Sequence, residues 1–306
     1  MRDLLVGSTG FVGGNLSDSH TFEAACHSSD VLHYYNSQPE LCIYAGIPSA
    51  MFLANSAPKK DLAIMWQALE NIRRIRAKQL VLISTIAVYA DCKGCTEDDA
   101  TIREGMRPYG YHRGLLENRV REEFDNALIV RLPALYGRGL KKNFLYDLRT
   151  ITPSMLSPEK YRKLGEQHVA IAAGYDPAPN GYYVLNEKVP QEVLRGIFED
   201  GPFNALCFTD SRSRFQFYPL SRLWRDIKTA LKNGIQCLNL TPPPLSAAEV
   251  FRAVYPGKEW HNELHSAPFD YDMRSNYAEL LGGCSDGYLC SAEEELCDIC
   301  RFITER

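Results

Sequence analysis

Leu4-Leu5-Val6-Gly7-Ser8-Thr9-Gly10-Phe11-Val12-Gly13 is the stretch on which the reading of this chain turns. Three consecutive apolar residues without alternation suit a short strand covered on both faces, as in a parallel sheet. The G-x-x-G-x-x-G turn that follows leads directly into a helical pattern. Such a turn presents backbone N–H groups and a helix N-terminus to an anion, and glycine removes the Cβ that would keep a pyrophosphate away. Glycines that merely ease a tight turn would look the same. The place of the turn, at the head of a strand–helix alternation, favours a dinucleotide site with Gly7, Thr9, Gly10, Phe11, Val12 and Gly13 as its contacts.

Working outward, short apolar runs alternate with helical periodicity, the signature of βαβ units. Leu41-Cys42-Ile43-Tyr44 reads as a strand. From Asp61 to Ala77, Leu62, Met65, Trp66, Leu69, Ile72 and Ile75 recur at helical spacing and lead into the strand Leu80-Val81-Leu82-Ile83. Pro108 opens a helix reaching about Phe124, with proline in the first turn where its missing N–H does no harm, and Leu128-Ile129-Val130 follows as a strand. The first crossover helix, Phe11 to about Ser17, is short. The implied fold class is α/β, a Rossmann-like doubly wound parallel sheet over residues 1–145. Beyond Gly139 the alternation fades among Pro153, Pro158, Pro177, Pro179, Pro190 and Pro202, so a smaller, discontinuous α+β domain is expected over 146–306. Parts of 215–240 rejoin the first domain: Phe215 to Leu231 reads as strand then helix, and Cys237-Leu238-Asn239-Leu240 as a strand returning to the main sheet.

In this motif an acidic residue about 20 positions after the first glycine holds the adenosine ribose, but the corresponding loop here is Cys26-His27-Ser28-Ser29. Neither a carboxylate nor an arginine stands at the strand end. His27 and Ser28 are the ribose-side candidates, with Ala45 and Gly46 at the end of the next strand. The neutral, hydroxyl-bearing loop leans slightly toward NADP over NAD.

The 306 residues carry 34 basic and 38 acidic side chains, net −4, which gives no general pull toward nucleic acid or anionic lipid. No apolar run approaches the roughly 18 residues of a membrane span, and the start has no secretory signature, so a cytoplasmic protein with reduced thiols is expected. Cys92/Cys95 and Cys297/Cys300, near Cys284 and Cys290, have a spacing seen in zinc sites. Leu296, Ile299, Cys300 and Ile303 on one face of a final helix are better read as packing, and no metal is expected.

The chemistry-bearing residues lie after the fourth strand. Ile83-Ser84-Thr85 leads into Ile86-Ala87-Val88-Tyr89, and then comes Tyr109-Gly110-Tyr111-His112-Arg113. Together with Gly7, Gly10 and Gly13, this pattern resembles the extended short-chain dehydrogenase/reductases, the NAD-dependent epimerase/dehydratase family that modifies nucleotide-sugars. The resemblance implies that Thr85 stands at the catalytic Ser/Thr and that Tyr109 is the tyrosine of Y-x-x-x-K. Arg131-Leu132-Pro133-Ala134-Leu135-Tyr136-Gly137 resembles the family's strand leading into the substrate domain. A tyrosine serves as acid/base if a cation pulls its pKa down from about 10. Thr85 would hydrogen-bond the reacting oxygen. The departure is Arg113 in place of lysine: at i+4 it shares a helical face with Tyr109, but its planar fork alters any contact to the nicotinamide ribose. His112 is expected to face solvent or the substrate cleft, and Tyr111 is the alternative acid/base.

The resemblance also implies a nucleotide-sugar substrate, bound through Thr85 and candidates Asn143, Arg212, Arg214, Gln216 and Tyr218, since arginine suits a diphosphate. The alternation around Phe215 and Phe217 equally suits an ordinary half-buried strand. Epimerase and reductase remain open. The dehydratase ranks last, because Ile86-Ala87 stands where an Asp-Glu pair is expected. The other reading is a non-catalytic NAD(P)-binding sensor or scaffold. Family members commonly pair through the helices at 61–77 and 108–124, so a homodimer is expected.

Overall fold

Short apolar runs become the strands β1 (Asp3–Val6), β2 (Ala24–Cys26), β3 (Leu41–Tyr44), β4 (Gln79–Thr85) and β5 (Ala127–Leu132), of which β2 lies at a partly exposed edge. With Cys237–Asn239 at one edge they form a six-stranded parallel sheet in the order edge strand, β5, β4, β3, β1, β2. This computed structural model describes every residue except Asp200 and Arg306. The returning strand expected at Cys237 is therefore present, in register with Ile129, Val130 and Arg131. Helices α1 (Phe11–Ser19), α2 (Met51–Ser56), α3 (Pro58–Ile75) and α4 (Pro108–Glu123) complete the βαβ framework. The link from β2 to β3 carries only the 3₁₀ turn Val31–Tyr34.

The period-2 alternation of the strands sorts the core into two layers. Leu5, Ile43, Val81, Leu128 and Val130 pack on one face with Leu223, Ile227 and Ala230 of the helix Leu223–Lys232. On the other face Leu4, Val6, Cys42, Tyr44, Leu80, Leu82 and Ile129 meet Met65, Leu69 and Ile72 of α3 and Leu116 and Val120 of α4. Every residue of β1 and β5 is buried, which is why neither strand alternates in sequence.

The chain divides into two compact units. The first comprises Met1–Gly139, Phe215–Pro244 and Asp270–Glu295, so it takes in a late segment that the sequence reading had assigned to the second domain. The second, Leu140–Arg214, Leu245–Phe269 and Leu296–Arg306, is α+β. It contains the three-stranded antiparallel sheet of Met155–Leu156, Tyr183–Leu185 and Tyr175–Pro177. Phe144 and Phe251 pack against Trp260 among its helices.

The polar cement of the first unit centres on Glu117 of α4, which is 0% exposed. Arg131 Nη2 and Nε of β5 donate to it at 2.8 and 3.1 Å, and Arg121 Nη2 donates at 3.0 Å. Ser84 Oγ of β4 donates to its other oxygen. Arg131 also donates to the hydroxyl of Tyr89, which is bonded to Asn239 of the edge strand. One buried carboxylate thus ties α4 to β4 and β5 directly below the strand ends that carry the site.

Candidate active site

Because β1 leads through α1 to β2 on one side, while β3 leads through α3 to β4 on the other, the crevice between the ends of β1 and β3 is the sheet's switch point. The glycine turn lies there. Gly7 has φ +90°, a conformation that side chains with a Cβ rarely adopt, and a Cβ on it would meet the Ala45 carbonyl and Gly46 Cα at 2.7 Å. A Cβ on Gly13 would run into the Gly7 carbonyl. Gly7 N–H and Ser8 N–H donate to Cys26 O at 2.8 and 3.1 Å, tying the turn to the end of β2. Gly10 is the N-cap of α1 with no side-chain cap, so the first N–H groups of that helix have no side chain closing over them. Thr9 and Gly10 are exposed, Phe11 and Val12 half-buried and Gly13 buried.

At the end of β2 the structure adds a residue that the sequence reading passed over. Ser29 Oγ donates to the Asp30 carboxylate at 2.9 Å and lies 2.8 Å from His27 Nδ1. The strand ends at Cys26, and Asp30 is brought back beside it by a turn in which its N–H donates to His27 O. A carboxylate therefore stands in the turn just beyond the end of β2. Ser28 packs near Gly46, where a Cβ would meet its side chain at 3.1 Å.

Thr85, the last residue of β4, caps the 3₁₀ turn Ile86–Val88, its hydroxyl accepting from Ala87 N–H at 3.2 Å. Tyr109 lies in the first turn of α4, its own N–H donating to Asn55 Oδ1 of α2. Two glycines bring α4 this close: a Cβ on Gly110 would strike the Ala87 carbonyl, and one on Gly114 would strike Ile102. Neither was singled out by sequence, since a mid-helix glycine is mute until its neighbour is known.

Arg113 and Tyr109 do share a face, with the guanidinium stacked 3.7 Å from the centre of the phenol ring. Arg113 Nη1 donates to both oxygens of Asp61 at 3.2 and 3.3 Å and to Tyr109 O at 2.9 Å, while Nη2 donates to Pro48 O at 2.7 Å. Two expectations are corrected here. The Tyr109 pKa is raised, not lowered: burial dominates, and Arg113 and Thr85 offset it only in part, with Asp61 pushing it further up. His112 does not face solvent; it is buried and its Nδ1 lies 2.8 Å from Asp61 Oδ2. Tyr111 is half-buried and its ring meets that of His112 edge-on.

The proposed substrate contacts divide. Gln216 is buried, donating to Pro242 O and Met273 O and accepting from Met273 N–H. Tyr218 is fully buried with its hydroxyl donating to Asp226 at 2.7 Å. Both serve the core of the first unit, a correction to the sequence reading, because alternation does not say what each face meets. In the second unit Arg212 is forked onto Asp210 at 2.8 and 3.0 Å and paired with Glu263. Arg214 is exposed, its N–H donating to Phe269 O. Asn143 caps the helix Phe144–Thr150 by accepting from Tyr146 N–H, with φ +101°. Among the described residues no three His, Cys, Asp or Glu side chains are placed to hold a metal ion. No described helix is long and apolar enough to cross a membrane.

A glycine turn at the switch point of a doubly wound parallel sheet defines the dinucleotide-fold class of α/β proteins. Residues 26–163 match the model of the NAD dependent epimerase/dehydratase family, and the resemblance drawn from the sequence is thereby borne out. No curated protein matches the chain. Among solved structures, dTDP-4-dehydrorhamnose reductase from Yersinia enterocolitica is similar at TM-score 0.65 and 14% identity, covering 99% of this chain and 100% of that one. A UDP-galactose 4-epimerase is similar at 0.61 and 13%, covering 99% and 98%. An NAD-dependent NDP-hexosamine 5,6-dehydratase involved in tunicamycin biosynthesis is similar at 0.63 and 16%, covering 100% and 98%. At these identities the structures establish the fold.

Proposed function

We propose that the chain is an NAD(P)-dependent enzyme that moves a hydride on a nucleotide-activated sugar, with Tyr109 as its acid/base. The observation that carries this reading is the clustering of the Tyr109 phenol, the Thr85 hydroxyl and the Arg113 guanidinium. They lie at the end of β4, next in the sheet to β3, whose end packs on Gly7.

The chain's residues fit a dinucleotide: a Cβ would fill the cradle at Gly7 and Gly13, and the N-terminus of α1 is uncapped. Gly7, Thr9, Gly10, Phe11, Val12 and Gly13 would hold its phosphates, His27, Ser28, Ala45 and Gly46 its adenosine side, and Tyr109 its nicotinamide ribose. When bound, it supplies or accepts the hydride. Tyr109 exchanges a proton with the substrate oxygen, Thr85 orients that oxygen, and Arg113 supports the ring from behind. Asp30 opposes the lean toward NADP, because a carboxylate beside the ribose favours hydroxyl over phosphate.

Nicotinamide absorbance, followed while a panel of nucleotide-sugars is offered with either dinucleotide, tests the reading. Turnover on at least one of them is expected, and dinucleotide binding without turnover across the panel would favour the sensor or scaffold. For the assembly we propose a homodimer through α3 and α4, on which Trp66 is 39% exposed. Size-exclusion with light scattering is expected to give twice the 34.6 kDa chain mass, and a species of the single-chain mass would refute it.

A further inference from the structure

Asp61 does more than fill a buried position. It lies on α3, not on the helix that carries Tyr109, and it is 4% exposed. Its carboxylate takes Arg113 Nη1 through both oxygens and His112 Nδ1 through one. Arg113 Nη1 thus spends its hydrogens on Asp61 and Tyr109 O, and Nη2 gives one to Pro48 O. The guanidinium is fixed flat on the ring, 3.7 Å from its centre. A cation held this close to a carboxylate presents a phenolate with a nearly neutral pair instead of a free charge.

Resting on the proposed function, we infer that Asp61 is a positioning residue: it locks Arg113 against the Tyr109 ring and cancels its charge, so that Tyr109 works as a proton donor and the site favours reduction of a nucleotide-bound keto sugar. In that direction the carbonyl carbon gains a hydride from the reduced dinucleotide and the carbonyl oxygen gains the Tyr109 proton. The C=O double bond becomes a C–O single bond, the dinucleotide leaves oxidised, and the phenolate is reprotonated from water. Burial raises the phenol most, Arg113 from its own helix and Thr85 from β4 pull it down, and Asp61 from α3 pushes it further up. His112 bonds Asp61, its Nδ1 lying 2.8 Å from Asp61 Oδ2. Protonated Tyr109 is required for reduction, so reduction holds through neutral pH and is lost as pH rises through the raised Tyr109 pKa, while oxidation of the alcohol gains over the same range.

The test is an NMR titration of protein carrying tyrosine labelled at ¹³Cζ, without substrate, the Tyr109 signal being assigned by its disappearance in Tyr109→Phe. In the unsubstituted protein the signal is expected to titrate above the usual tyrosine value of about 10. Asp61→Asn should move it down by about one pH unit, and Asp61→Glu should restore it. Arg113→Gln, which leaves the carboxylate uncompensated, should move it up, so the proposal stays testable if either variant fails to fold. The alkaline limit of reduction should move with the signal, and oxidation at a fixed mildly alkaline pH should rise about tenfold in Asp61→Asn. A Tyr109 signal unmoved by Asp61→Asn or by Arg113→Gln overturns the proposal. Failure of the unsubstituted protein to bind any dinucleotide would instead remove the functional reading and leave the titration result standing.

Discussion

Tyr109→Phe is expected to lower turnover by about 10²–10⁴, the usual worth of a positioned proton-transfer group, while leaving dinucleotide affinity within about threefold. The ring is retained, so its stacking with Arg113 and its place in the first turn of α4 survive. What is lost is the hydroxyl beside Thr85, to which the proposed function gives the proton exchange with substrate. Steady-state kinetics on a substrate found in the panel, beside a binding titration, separates the two effects. Equal turnover in the variant would transfer the acid/base role to Tyr111 or remove catalysis from the account.

The largest stability effect is expected at Glu117. Glu117→Ala leaves Arg131, 1% exposed, without its carboxylate and strips Ser84 and Arg121 of a partner. Breaking a buried pair by removing one member costs about 3–5 kcal/mol, which lowers a melting midpoint by on the order of 10 °C. Thermal unfolding followed by circular dichroism reads this directly. Replacing Glu117 and Arg131 together by apolar residues of similar volume should recover much of the loss, since the residual penalty is that of the unpaired charge. A midpoint within a degree or two of the unsubstituted protein would show that the network contributes little. Because the network holds β4 to α4, a mild Tyr109 defect should accompany the loss of stability.

Much of the fold was legible because it is local. Leu4 to Val6 followed by Gly7, and the runs at Leu41, Leu80 and Leu128, announce strands buried on two faces without any knowledge of their neighbours. The boundaries shifted modestly: α3 begins at Pro58 rather than Asp61, and α1 extends to Ser19. Thr85, Tyr109 and Arg113 were found through motif spacing, and the structure brings them together. What sequence did not disclose is tertiary. Asp61 is one acidic residue in the first turn of a helix until α4 lies against it. Asp30 follows directly on the loop 26–29, and only the turn shows it beside the strand end. Gln216 and Tyr218 were assigned to substrate on residue type, whereas the sheet faces they join are interior. Arg131 was noticed as part of a motif, but its burial against Glu117 follows from the pairing of β4 with β5.

Calorimetric titration of the purified protein with NAD, NADP and their reduced forms, repeated on Gly10→Val, tests most directly whether the turn from Gly7 to Gly13 holds a dinucleotide. Gly10 is the informative position because its backbone, φ −76°, tolerates a side chain and a Cβ there lies 3.3 Å from the Gly7 carbonyl. The fold should therefore survive while the approach of a phosphate is blocked. Binding of at least one dinucleotide by the unsubstituted protein and a loss of about 100-fold or more in the variant are expected, with both proteins unfolding cooperatively. Absence of binding by the folded, unsubstituted protein, or equal affinity in Gly10→Val, would contradict a dinucleotide site at this turn.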